Sequence, residues 1–288
     1  MKIRKAVIPA AGLGSRMLPA AKTVPKEMFP VADRPVLHYI VQEAVDAGIE
    51  EIIILTNRCK TVMHDYFDYT PELEEKLRAA GKHAEVAELR AIADMADITF
   101  VRQKQTLGLG HAVWCTRRIV GDEPFAVLLG DDLMRSRTPV IGQLISASER
   151  FGAAAVGVQA VPRAEIGKYC SLDVTHREGN VYDVHGMVEK PRPEQILSDF
   201  AILGRYVLTP RIFDILENLP AGHGGEIQLT DGLNALCREE PMVAVDFEGE
   251  RHDTGSLEGY FRAMLHFSAE HPRLAPVLAE FLAERGKK

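Results

Sequence analysis

The sequence has little cysteine, no internal repeat and no apolar run long enough to cross a membrane. Its four cysteines are widely spaced and form no C-x-x-C pair; they are Cys59, Cys115, Cys170 and Cys237. Such spacing is typical of reduced thiols in a cytoplasmic protein rather than of a disulfide framework. The basic N-terminus also lacks the apolar segment of a signal peptide. We therefore expect a cytoplasmic protein without membrane association.

Positive charge is not in excess either. The 288 residues include 34 Lys and Arg against 41 Asp and Glu, which gives a net charge of −7. This balance argues against nucleic acid as a partner. It does not exclude a small anionic substrate, because the cations are concentrated locally. With 46% hydrophobic residues, the chain can bury a sizeable core, as one large α/β domain or as two small ones.

Short apolar runs alternate with helical patterns through the first half of the chain. Strands are predicted at residues 6–8, 52–55, 98–101 and 125–129, and a helix at residues 36–47, followed by Gly48. This alternation is typical of an α/β fold with a mainly parallel central sheet covered by helices. The charged stretch at residues 71–97 is interpreted as a solvated amphipathic hairpin in preference to a functional element.

The second half changes character, because a hairpin signal appears among its strands. Glu178-Gly179-Asn180 is typical of a hairpin turn. The predicted elements are strands at residues 153–161, 172–175, 181–184 and 200–208 and a helix at residues 211–219. Residues 260–285 predict two helices broken near Pro272. These two helices either pack on the body of the protein or form a subunit contact.

The loop after the first predicted strand, residues 10–30, combines glycines with cations. Gly12 and Gly14 remove side chains where the backbone must approach something closely. Arg16, Lys22 and Lys26 place three cations in the same short segment. A glycine loop with clustered cations after a buried strand is what the phosphates of a nucleoside triphosphate require.

Two better-known phosphate loops are excluded by the same residues. No G-x-x-x-x-G-K-[ST] string occurs, so the loop is not a Walker A motif. A dinucleotide fingerprint needs a third glycine where Met17 stands, which also excludes a dinucleotide-dependent oxidoreductase. A lone G-x-G also occurs in ordinary tight turns. The cations and the string PKEM at residues 25–28 favour a nucleotide site over such a turn.

Further strings follow this loop along most of the chain. They are RQKQTLGLGHAV at 102–113, LLGDD at 128–132, VEKP at 188–191, GRYVL at 204–208, GGEIQLTD at 224–231 and HDTGS at 252–256. Together with G-x-G-[ST]-R and P-K-E-M in the loop, they resemble the sugar-nucleotide pyrophosphorylases. The likeness is strongest to the bacterial uridylyltransferases of that family, which act on UTP and glucose 1-phosphate. Several strings in the family's order are far more specific than any single one.

The resemblance implies a Rossmann-like nucleotidyltransferase fold with an inserted sugar-binding subdomain. It implies a nucleotide-binding part at residues 1–137, a sugar-phosphate-binding part at residues 138–225 and a returning C-terminal segment with helices at residues 226–288. These parts would form one compact catalytic domain. The implied activity is Mg²⁺-dependent uridylyl transfer from UTP to glucose 1-phosphate, which gives UDP-glucose and pyrophosphate. We also expect a homo-oligomer, either a dimer or a tetramer.

Two alternatives stay open beside this activity. One is the same reaction with another nucleotide or another sugar 1-phosphate. The other is a non-catalytic nucleotide-sugar sensor that keeps the fold. A sensor need not retain the groups that transfer phosphate, so the presence of Arg16, Lys26, Asp131 and Lys190 argues against it.

The implied reaction needs little proton transfer. The attacking group is a sugar phosphate that is already ionised at neutral pH, and the leaving group is pyrophosphate. Positioning and charge neutralisation should therefore dominate. The resemblance accordingly implies Arg16, Lys26, Asp131 and Lys190 as the catalytic residues. His111 is interpreted as a helix-start residue rather than as a general base.

The nucleotide would be held by backbone and by one amide side chain. The resemblance implies contacts from Ala10, Ala11, Gly12, Gly14, Gln103 and Gly108. An amide presents both a donor and an acceptor, which can match the N3–H and a carbonyl of uracil. Without the resemblance, Gln103 would be interpreted as a surface glutamine beside a turn.

Two carboxylates are implied as ligands of Mg²⁺. Asp131 follows a predicted strand whose carboxyl end is where open α/β sheets bind ligands. Asp253, in HDTGS, would approach as a second ligand from the C-terminal segment. Mg²⁺ prefers oxygen ligands and commonly shares them with phosphates. Adjacent aspartates also occur in solvated turns and at helix N-caps, which remains the alternative for Asp131 and Asp132.

The sugar 1-phosphate would be held near VEKP. The resemblance gives Glu189 the sugar hydroxyls and Lys190 the sugar phosphate, and it adds Cys170 and Gly204 to this site. Neighbouring side chains on a strand point to opposite faces. The strand must therefore end or bend here if Glu189 and Lys190 are both to face the ligand. Cys170 stands where close relatives usually have glycine, at a position that lines the sugar pocket in that family.

Overall fold

The computed structural model describes residues 2–58 and 60–286, and its central feature is a mixed β-sheet with helices on both faces. Cys59 lies outside the described residues. Cys115, Cys170 and Cys237 are free thiols, as the cysteine spacing predicts. Among the helices described, none is both long enough and apolar enough to span a membrane.

Alternating strands and helices account for most of the described chain. The strands are β1 (Lys5–Pro9), β2 (Pro30–Val31), β3 (Arg34–Pro35), β4 (Glu51–Thr56), β5 (Asp97–Arg102), β6 (Phe125–Leu128), β7 (Asp132–Arg135), β8 (Ala154–Ala160), β9 (Cys170–Glu178), β10 (Val181–Glu189), β11 (Phe200–Leu208), β12 (Met242–Asp246) and β13 (Glu250–Asp253). The helices are α1 (Val36–Asp46), α2 (Val62–Tyr66), α3 (Pro71–Ala79), α4 (His83–Ala93), α5 (Leu109–Trp114), α6 (Arg117–Val120), α7 (Val140–Phe151), α8 (Arg211–Asn218), α9 (Leu229–Leu236), α10 (Leu257–Glu270) and α11 (Ala275–Arg285). Short 3₁₀ turns cover Ser15–Met17, Ala20–Lys22, Lys26–Met28, Ile166–Lys168, Pro193–Gln195 and His223–Gly225.

The main sheet has nine strands within the described residues, in the order β5-β4-β1-β6-β11-β8-β12-β10-β9. The four adjacent strands β5, β4, β1 and β6 are parallel to one another. The chain leaves β1 toward β4 and leaves the neighbouring strand β6 toward β8, so these two connections run to opposite sides of the sheet. Such a switch point opens a crevice at the carboxyl ends of the strands, where ligands of open α/β sheets bind.

The predicted α/β class is correct, but among the described strands the pairing is parallel only within β5, β4, β1 and β6 and between β8 and β12. Strand β11 is antiparallel to both of its neighbours, β6 and β8. The hairpin β9–β10 is antiparallel as well, and β10 continues antiparallel to β12. The apolar runs predicted these strands, but their direction depends on connections that a local pattern does not specify.

Two apolar clusters cover the two faces of the sheet. Ala6 and Ile8 of β1 belong to one cluster, together with the buried sides of α1 and α7. Val7 belongs to the other, together with the buried sides of α8 and α9. A strand buried on both faces is apolar at every position, which is why residues 6–8 form a continuous apolar run.

A buried ion pair connects α1 to the sheet beside the site. The Arg205 side chain is fully buried. Its Nε donates to Glu43 Oε1 at 3.0 Å and its Nη2 to Glu43 Oε2 at 2.6 Å. The same Nη2 donates to the carbonyl of Asp132 at 2.8 Å. Arg205 therefore fixes the start of β7, next to the predicted metal ligand Asp131.

The charged stretch at residues 71–97 forms the predicted helical hairpin, α3 and α4. Its link is the buried carboxylate of Glu74, which accepts hydrogen bonds from Arg78 at 2.6 Å and Arg90 at 2.8 Å. The predicted C-terminal helices are α10 and α11, interrupted around Pro272. Helix α10 packs against the body, where the Tyr260 hydroxyl donates to the Pro30 carbonyl at 2.7 Å.

Candidate active site

A cavity of about 410 Å³ opens at the carboxyl ends of β1, β5 and β6. It brings together four of the six predicted nucleotide-binding residues with one cation and one carboxylate of the predicted catalytic set. These are Ala11, Gly12, Gln103, Gly108, Lys26 and Asp131. The sequence strings that carry them are up to about 120 residues apart, so the fold alone assembles this lining.

Ala10 and Gly14 of the predicted set do not line the cavity, and they shape the loop instead. Ala10 is buried, and its amide donates to the Leu55 carbonyl at 2.8 Å. Gly14 has a φ of 67°, in the left-handed region that favours glycine, and it begins the 3₁₀ turn that carries Arg16. These two residues hold the loop in the conformation that exposes Gly12.

Gly12 and Gly108 are glycines for different reasons. A Cβ added to Gly12 would meet no protein atom within 4 Å. Protein packing therefore does not require glycine at position 12. A side chain there would extend into the cavity and occupy space that a ligand can use. At Gly108, φ is 106° and a Cβ would lie 2.7 Å from the Ile227 carbonyl oxygen. The resemblance predicts that Gly108 lets the backbone come close to the nucleotide. The close neighbour in the structure is instead the backbone of Ile227.

Gln103 lies in the cavity wall, where its amide group is oriented by two neighbours. Its Nε2 lies 3.0 Å from Nδ1 of His111 and 3.3 Å from the carbonyl oxygen of Gly108. Because that carbonyl can only accept, Nε2 is the donor, and Oε1 remains available as an acceptor. The His111 ring lies within α5 rather than at its first residue, and in this arrangement it accepts a hydrogen bond.

A buried ion pair that sequence reasoning missed supports the PKEM segment. Lys60 and Glu27 have side chains only 6% and 2% exposed, and Lys60 Nζ lies 2.7 Å from Glu27 Oε2. Lys60 also donates to the Ala10 carbonyl at 2.6 Å. Burial raises the pKa of Glu27 and lowers that of Lys60, and the attraction between the two opposes both shifts. The pair fastens the segment that carries Lys26 to the end of β1.

The predicted phosphate-binding cations lie against the predicted metal-binding carboxylates. Lys26 Nζ donates directly to Oδ2 of Asp131. Burial alone would lower the pKa of Lys26, but the charge of Asp131 raises it above its usual value. Arg16 reaches both carboxylates, with Nη1 3.4 Å from Asp253 Oδ2 and Nη2 3.9 Å from Asp131 Oδ2. Two cations and two carboxylates therefore converge at one side of the cavity.

Asp253 reaches Asp131 because β13 pairs with β7. The register places Asp253 opposite Asp132. Thr254 then donates from its amide and its hydroxyl, each at 2.8 Å, to the carbonyl of Asp131. HDTGS and LGDD are therefore one structural unit, although more than 100 residues separate them.

The space between the two carboxylates fits an oxygen-bound cation. A Cβ on Gly255 would lie 2.6 Å from Asp131 Oδ2, 2.7 Å from Arg16 Nη2 and 3.0 Å from Asp253 Oδ1. Only glycine leaves that space open. Burial alone would raise the pKa of Asp131, but the charge of Lys26 holds it below its usual value, so the carboxylate is ionised. Mg²⁺ prefers oxygen ligands, and two carboxylates beside a substrate cavity supply them.

The adjacent Asp132 points elsewhere and has a different partner. Its side chain is 3% exposed, and its Oδ1 accepts from Arg251 Nη2 at 2.6 Å and from Nε at 2.7 Å. A Cβ on Gly204 would overlap Asp132 Oδ2. Gly204, predicted in the sugar-phosphate site, therefore has a structural reason to be glycine: it accommodates a buried carboxylate at a left-handed φ of 67°.

Strand β10 ends at Glu189. The strand has to end or bend here if the side chains of Glu189 and Lys190 are both to face one ligand. Lys190 has a φ of 45°, which is unusual for a residue other than glycine. Its amide donates to the Tyr169 carbonyl at 2.8 Å. Lys190 Nζ lies 3.7 Å from Glu189 Oε1, and Thr230 donates from its hydroxyl to Glu189 Oε2 at 2.8 Å. Glu189, Lys190 and Thr230 thus form one polar group outside the 410 Å³ cavity.

Cys170 pairs with Glu189 across the β9–β10 hairpin, but its thiol is buried among apolar side chains. Burial, and next the charge of Glu189, raise the pKa of this thiol. Its Sγ lies 3.6 Å from the carbonyl oxygen of Ser171. The thiol lies under the predicted sugar site rather than on its surface.

Sequence reasoning overlooked several residues that build the site. Lys60, Arg251, Thr230 and Gly255 each support a predicted residue, and of these Lys60 and Arg251 lie outside the matched strings. Glu27 and Thr230 stand inside PKEM and GGEIQLTD, so those strings contained the available signal. Arg251 precedes HDTGS directly, and no local pattern marks it as the partner of a buried aspartate.

Comparison with known proteins gives matches along nearly the whole chain. The nucleotidyl transferase family matches residues 5–270. The chain is 48% identical over 283 residues to the UTP–glucose-1-phosphate uridylyltransferase YngB of Bacillus subtilis (strain 168), which covers 98% of this chain and 95% of that protein.

The fold is also similar to solved structures. A UTP-bound UGPase from Acinetobacter baumannii has a TM-score of 0.92 and 40% identity, covering 98% of this chain and 99% of that one. A UDP-glucose pyrophosphorylase complexed with UDP-glucose has a TM-score of 0.85 and 39% identity, covering 94% of this chain and 100% of that one.

Proposed function

The chain belongs to the nucleotidyl transferase family, and we propose that it transfers a uridylyl group from UTP to glucose 1-phosphate. The products are UDP-glucose and pyrophosphate. The observation that carries this proposal is the convergence of Lys26, Arg16, Asp131 and Asp253 at one side of a cavity lined by a glycine loop. Relatives at 45–48% identity are named for this reaction, and related structures hold UTP or UDP-glucose.

The reaction proceeds by direct displacement at the α-phosphorus of UTP. An oxygen of the sugar phosphate forms the new bond to this phosphorus, and the bond from the phosphorus to the bridging oxygen of the β-phosphate breaks. Pyrophosphate leaves with the electron pair of that bond. No proton has to move, so the residues act by positioning and by neutralising charge. Arg16 and Lys26 are assigned to the phosphates of UTP.

Asp131 and Asp253 are assigned to Mg²⁺ in this proposal. The bound ion would offset phosphate charge and align the attacking and leaving oxygens. The lowered pKa of Asp131 and the space that Gly255 keeps open between the two carboxylates support this assignment. In this proposal, Lys26 and Arg16 would exchange their carboxylate partners for phosphate oxygens when UTP is bound.

Base recognition is assigned to Gln103 and to the backbone of the glycine loop. With Nε2 held by His111 and Gly108, the Gln103 Oε1 is left to accept from the N3–H of uracil. Cytosine lacks that hydrogen, so CTP should be a poor substrate. Ala11 and Gly12 would supply the loop backbone that holds the nucleotide, and Ala10 and Gly14 would keep that loop in shape.

The sugar phosphate is assigned to the polar group at the end of β10. Lys190 would take the phosphate and Glu189 the hydroxyls. The hydroxyl of Thr230 orients Glu189 from α9. Cys170 and Gly204 would support this site without touching the sugar. The Cys170 thiol is buried, and Gly204 faces Asp132. Residues 138–225 would thus form the sugar part, with residues 1–137 and 226–288 completing one catalytic domain.

We propose further that the protein is a homo-oligomer, a dimer or a tetramer, in the cytoplasm. Helix α10 exposes Leu257, Phe261 and Leu265 at successive turns of one face, with 65%, 61% and 37% of their surfaces accessible. A second copy of the chain would cover this stripe. Light scattering after size-exclusion chromatography tests this, and a monomer at micromolar concentration would contradict it.

A pyrophosphate-release assay that crosses UTP, CTP, dTTP and ATP with several sugar 1-phosphates tests the activity. We expect the highest kcat/KM for UTP with glucose 1-phosphate and a loss of activity with a chelator of divalent cations. Higher kcat/KM for another pair would assign the chain to that substrate class. No pyrophosphate from any pair, with tight binding of UDP-glucose, would establish a sensor instead.

A further inference from the structure

One cluster of metal-binding side chains lies outside the proposed active site. Glu250 and His252 are two residues apart on β13, so their side chains share one face of the strand. His266 comes from α10, which packs on that face. The other face carries Arg251, paired with Asp132, and Asp253, near Arg16. The cluster therefore lies behind the strand that presents Asp253.

The donor atoms of this cluster converge. Nδ1 of His266 lies 3.3 Å from Glu250 Oε2, and Nε2 of His252 lies 3.8 Å from Glu250 Oε1. One donor atom from each residue falls within 4.8 Å of the others. Donors bound to a single zinc ion are about 3–3.6 Å apart, given bond lengths of about 2.0–2.2 Å. Side-chain shifts of about 1 Å would close the site.

The buried histidine supplies a second, independent observation. The His252 side chain is only 4% exposed, and its Nε2 is buried without a hydrogen-bond partner among the described residues. A buried polar atom that lacks a partner costs stability unless something unseen satisfies it. This nitrogen is aimed at the carboxylate of Glu250, which is where a shared cation would sit.

We propose that Glu250, His252 and His266 bind a transition-metal dication of the zinc class. Two imidazoles and a carboxylate suit Zn²⁺, Co²⁺ or Ni²⁺ far better than Mg²⁺ or Ca²⁺, which prefer oxygen alone. Glu250 and His266 are 43% and 42% exposed, so solvent reaches the site. Three protein ligands then leave one coordination position for water.

The neighbouring charges permit a dication. Arg135 contacts Glu250 Oε2 at 3.2 Å and also pairs with Glu270. When Glu250 turns to the metal, Arg135 keeps Glu270 as its partner. With both histidines neutral, Glu250, Glu270 and Arg135 sum to a charge of −1, so the bound ion does not face a net positive cluster.

A bound ion would couple α10 to the strand that holds Asp253. His252 and Asp253 are adjacent, so a metal that fixes His252 against His266 also restricts Asp253. We therefore expect Zn²⁺ at this site to stiffen the C-terminal part of the active site. The binding itself does not depend on the proposed uridylyl transfer, because it is measured without substrates.

The test is a Zn²⁺ titration of the chelator-treated full chain by competition with a chromophoric indicator, in the presence of millimolar Mg²⁺. We expect one equivalent to bind. His266→Ala and Glu250→Gln should weaken binding about tenfold or more, since even outer-shell partners have effects of that size. His266 and Glu250 are both partly exposed, so these variants should fold. His185→Ala, on the exposed side of the β9–β10 hairpin, is the matched control.

Co²⁺ spectra provide the second readout. Wild type with Co²⁺ should show the visible absorption of a low-coordinate site, and His266→Ala should lose it. The proposal is overturned if wild type binds no zinc, or if binding survives in both His266→Ala and Glu250→Gln. It is equally overturned if only Cys115→Ala abolishes binding, because Cys115 Sγ lies 3.7 Å from His111 Nε2 and forms the competing thiol–imidazole pair.

Discussion

Lys26 of the PKEM segment donates a hydrogen bond to Asp131 of LGDD, so a residue predicted to hold phosphate is paired with a residue predicted to hold a metal. The pair places both charges at the edge of the cavity before any substrate arrives. The Lys26 side chain is only 14% exposed, so its ammonium group stays beside Asp131 instead of extending into solvent. In the proposed reaction, substrate binding would exchange one set of ionic partners for another instead of bringing distant groups together.

Lys26→Ala should therefore reduce turnover while the fold persists. A charge-assisted hydrogen bond contributes about 1.5–3 kcal/mol, so kcat/KM for UTP should fall roughly 10- to 100-fold. Lys76→Ala, on the exposed side of α3, serves as the control with unchanged kinetics. Steady-state pyrophosphate release measures both variants. Wild-type kcat/KM in Lys26→Ala would remove this residue from the phosphate site.

The two adjacent aspartates should separate activity from stability. Asp131→Asn removes a charge from the proposed metal site, so kcat should fall on the order of 100-fold or more. Asp132→Asn leaves Arg251 without its buried ionic partner, and the free energy of unfolding should fall by about 3–5 kcal/mol. Urea unfolding and pyrophosphate release, measured on both variants, give the comparison. A larger activity loss at Asp132 with an unchanged stability would move the metal ligand by one residue.

Local signals explain which parts of the fold could be predicted. The apolar runs of β1, β4, β5 and β6 and the turn at Gly179 are short-range features, and each predicted its element. The matched strings likewise predicted Lys26, Gln103 and Asp131, which line the cavity. The direction of β11 and the role of Gly108 could not be predicted, because both depend on where distant segments pass.

Buried ion pairs were the main omission, and the reason is physical. Lys60 and Glu27 are 33 residues apart, and Arg205 and Glu43 are 162 apart. A charged residue in a sequence is expected to be solvated, so it signals burial only when its partner is known. The same holds for Gly255, whose missing side chain matters only because Asp131 and Asp253 meet there.

Lys60→Met should act on both stability and turnover, although Lys60 is not assigned to the substrate. Removing it leaves Glu27 buried without its partner, which should cost about 3–5 kcal/mol of unfolding free energy. Lys26, one residue before Glu27, should lose its fixed position. The double variant Glu27→Leu/Lys60→Met should recover much of the stability but not the turnover. Equal stability of Lys60→Met and wild type in urea would show that the pair contributes nothing.

Gly255→Ala tests whether the space between the carboxylates is needed. The added Cβ would enter the gap bounded by Asp131, Asp253 and Arg16. The Mg²⁺ concentration for half-maximal activity should rise, and kcat should fall about tenfold or more. Gly142→Ala, in α7, adds a Cβ at ordinary contact distances and should change neither value. If Gly255→Ala showed the same Mg²⁺ dependence as wild type, the metal would not occupy this gap.

Glu189 and Lys190 should control different properties of the sugar substrate. Lys190→Ala should lower kcat/KM for every sugar 1-phosphate by a similar factor, because all carry the phosphate. Glu189→Ala should reduce the preference among glucose, galactose and glucuronic acid 1-phosphates. Thr230→Val removes the hydrogen bond to Glu189 and should give a weaker form of the same effect. A change of sugar order in Lys190→Ala would exchange these two assignments.

Cys170 and glucuronic acid provide the sharpest test of the sugar site. The wild-type enzyme should use glucose 1-phosphate well and glucuronic acid 1-phosphate poorly, since Glu189 repels a second carboxylate in a partly desolvated pocket. Because the Cys170 thiol is buried, Cys170→Gly should lower the melting temperature yet keep this order of substrates. Comparison of kcat/KM for the three sugar phosphates in wild type, Glu189→Ala and Cys170→Gly decides. Efficient use of the glucuronic acid substrate by the wild type would overturn both the role of Glu189 and glucose 1-phosphate as the proposed substrate.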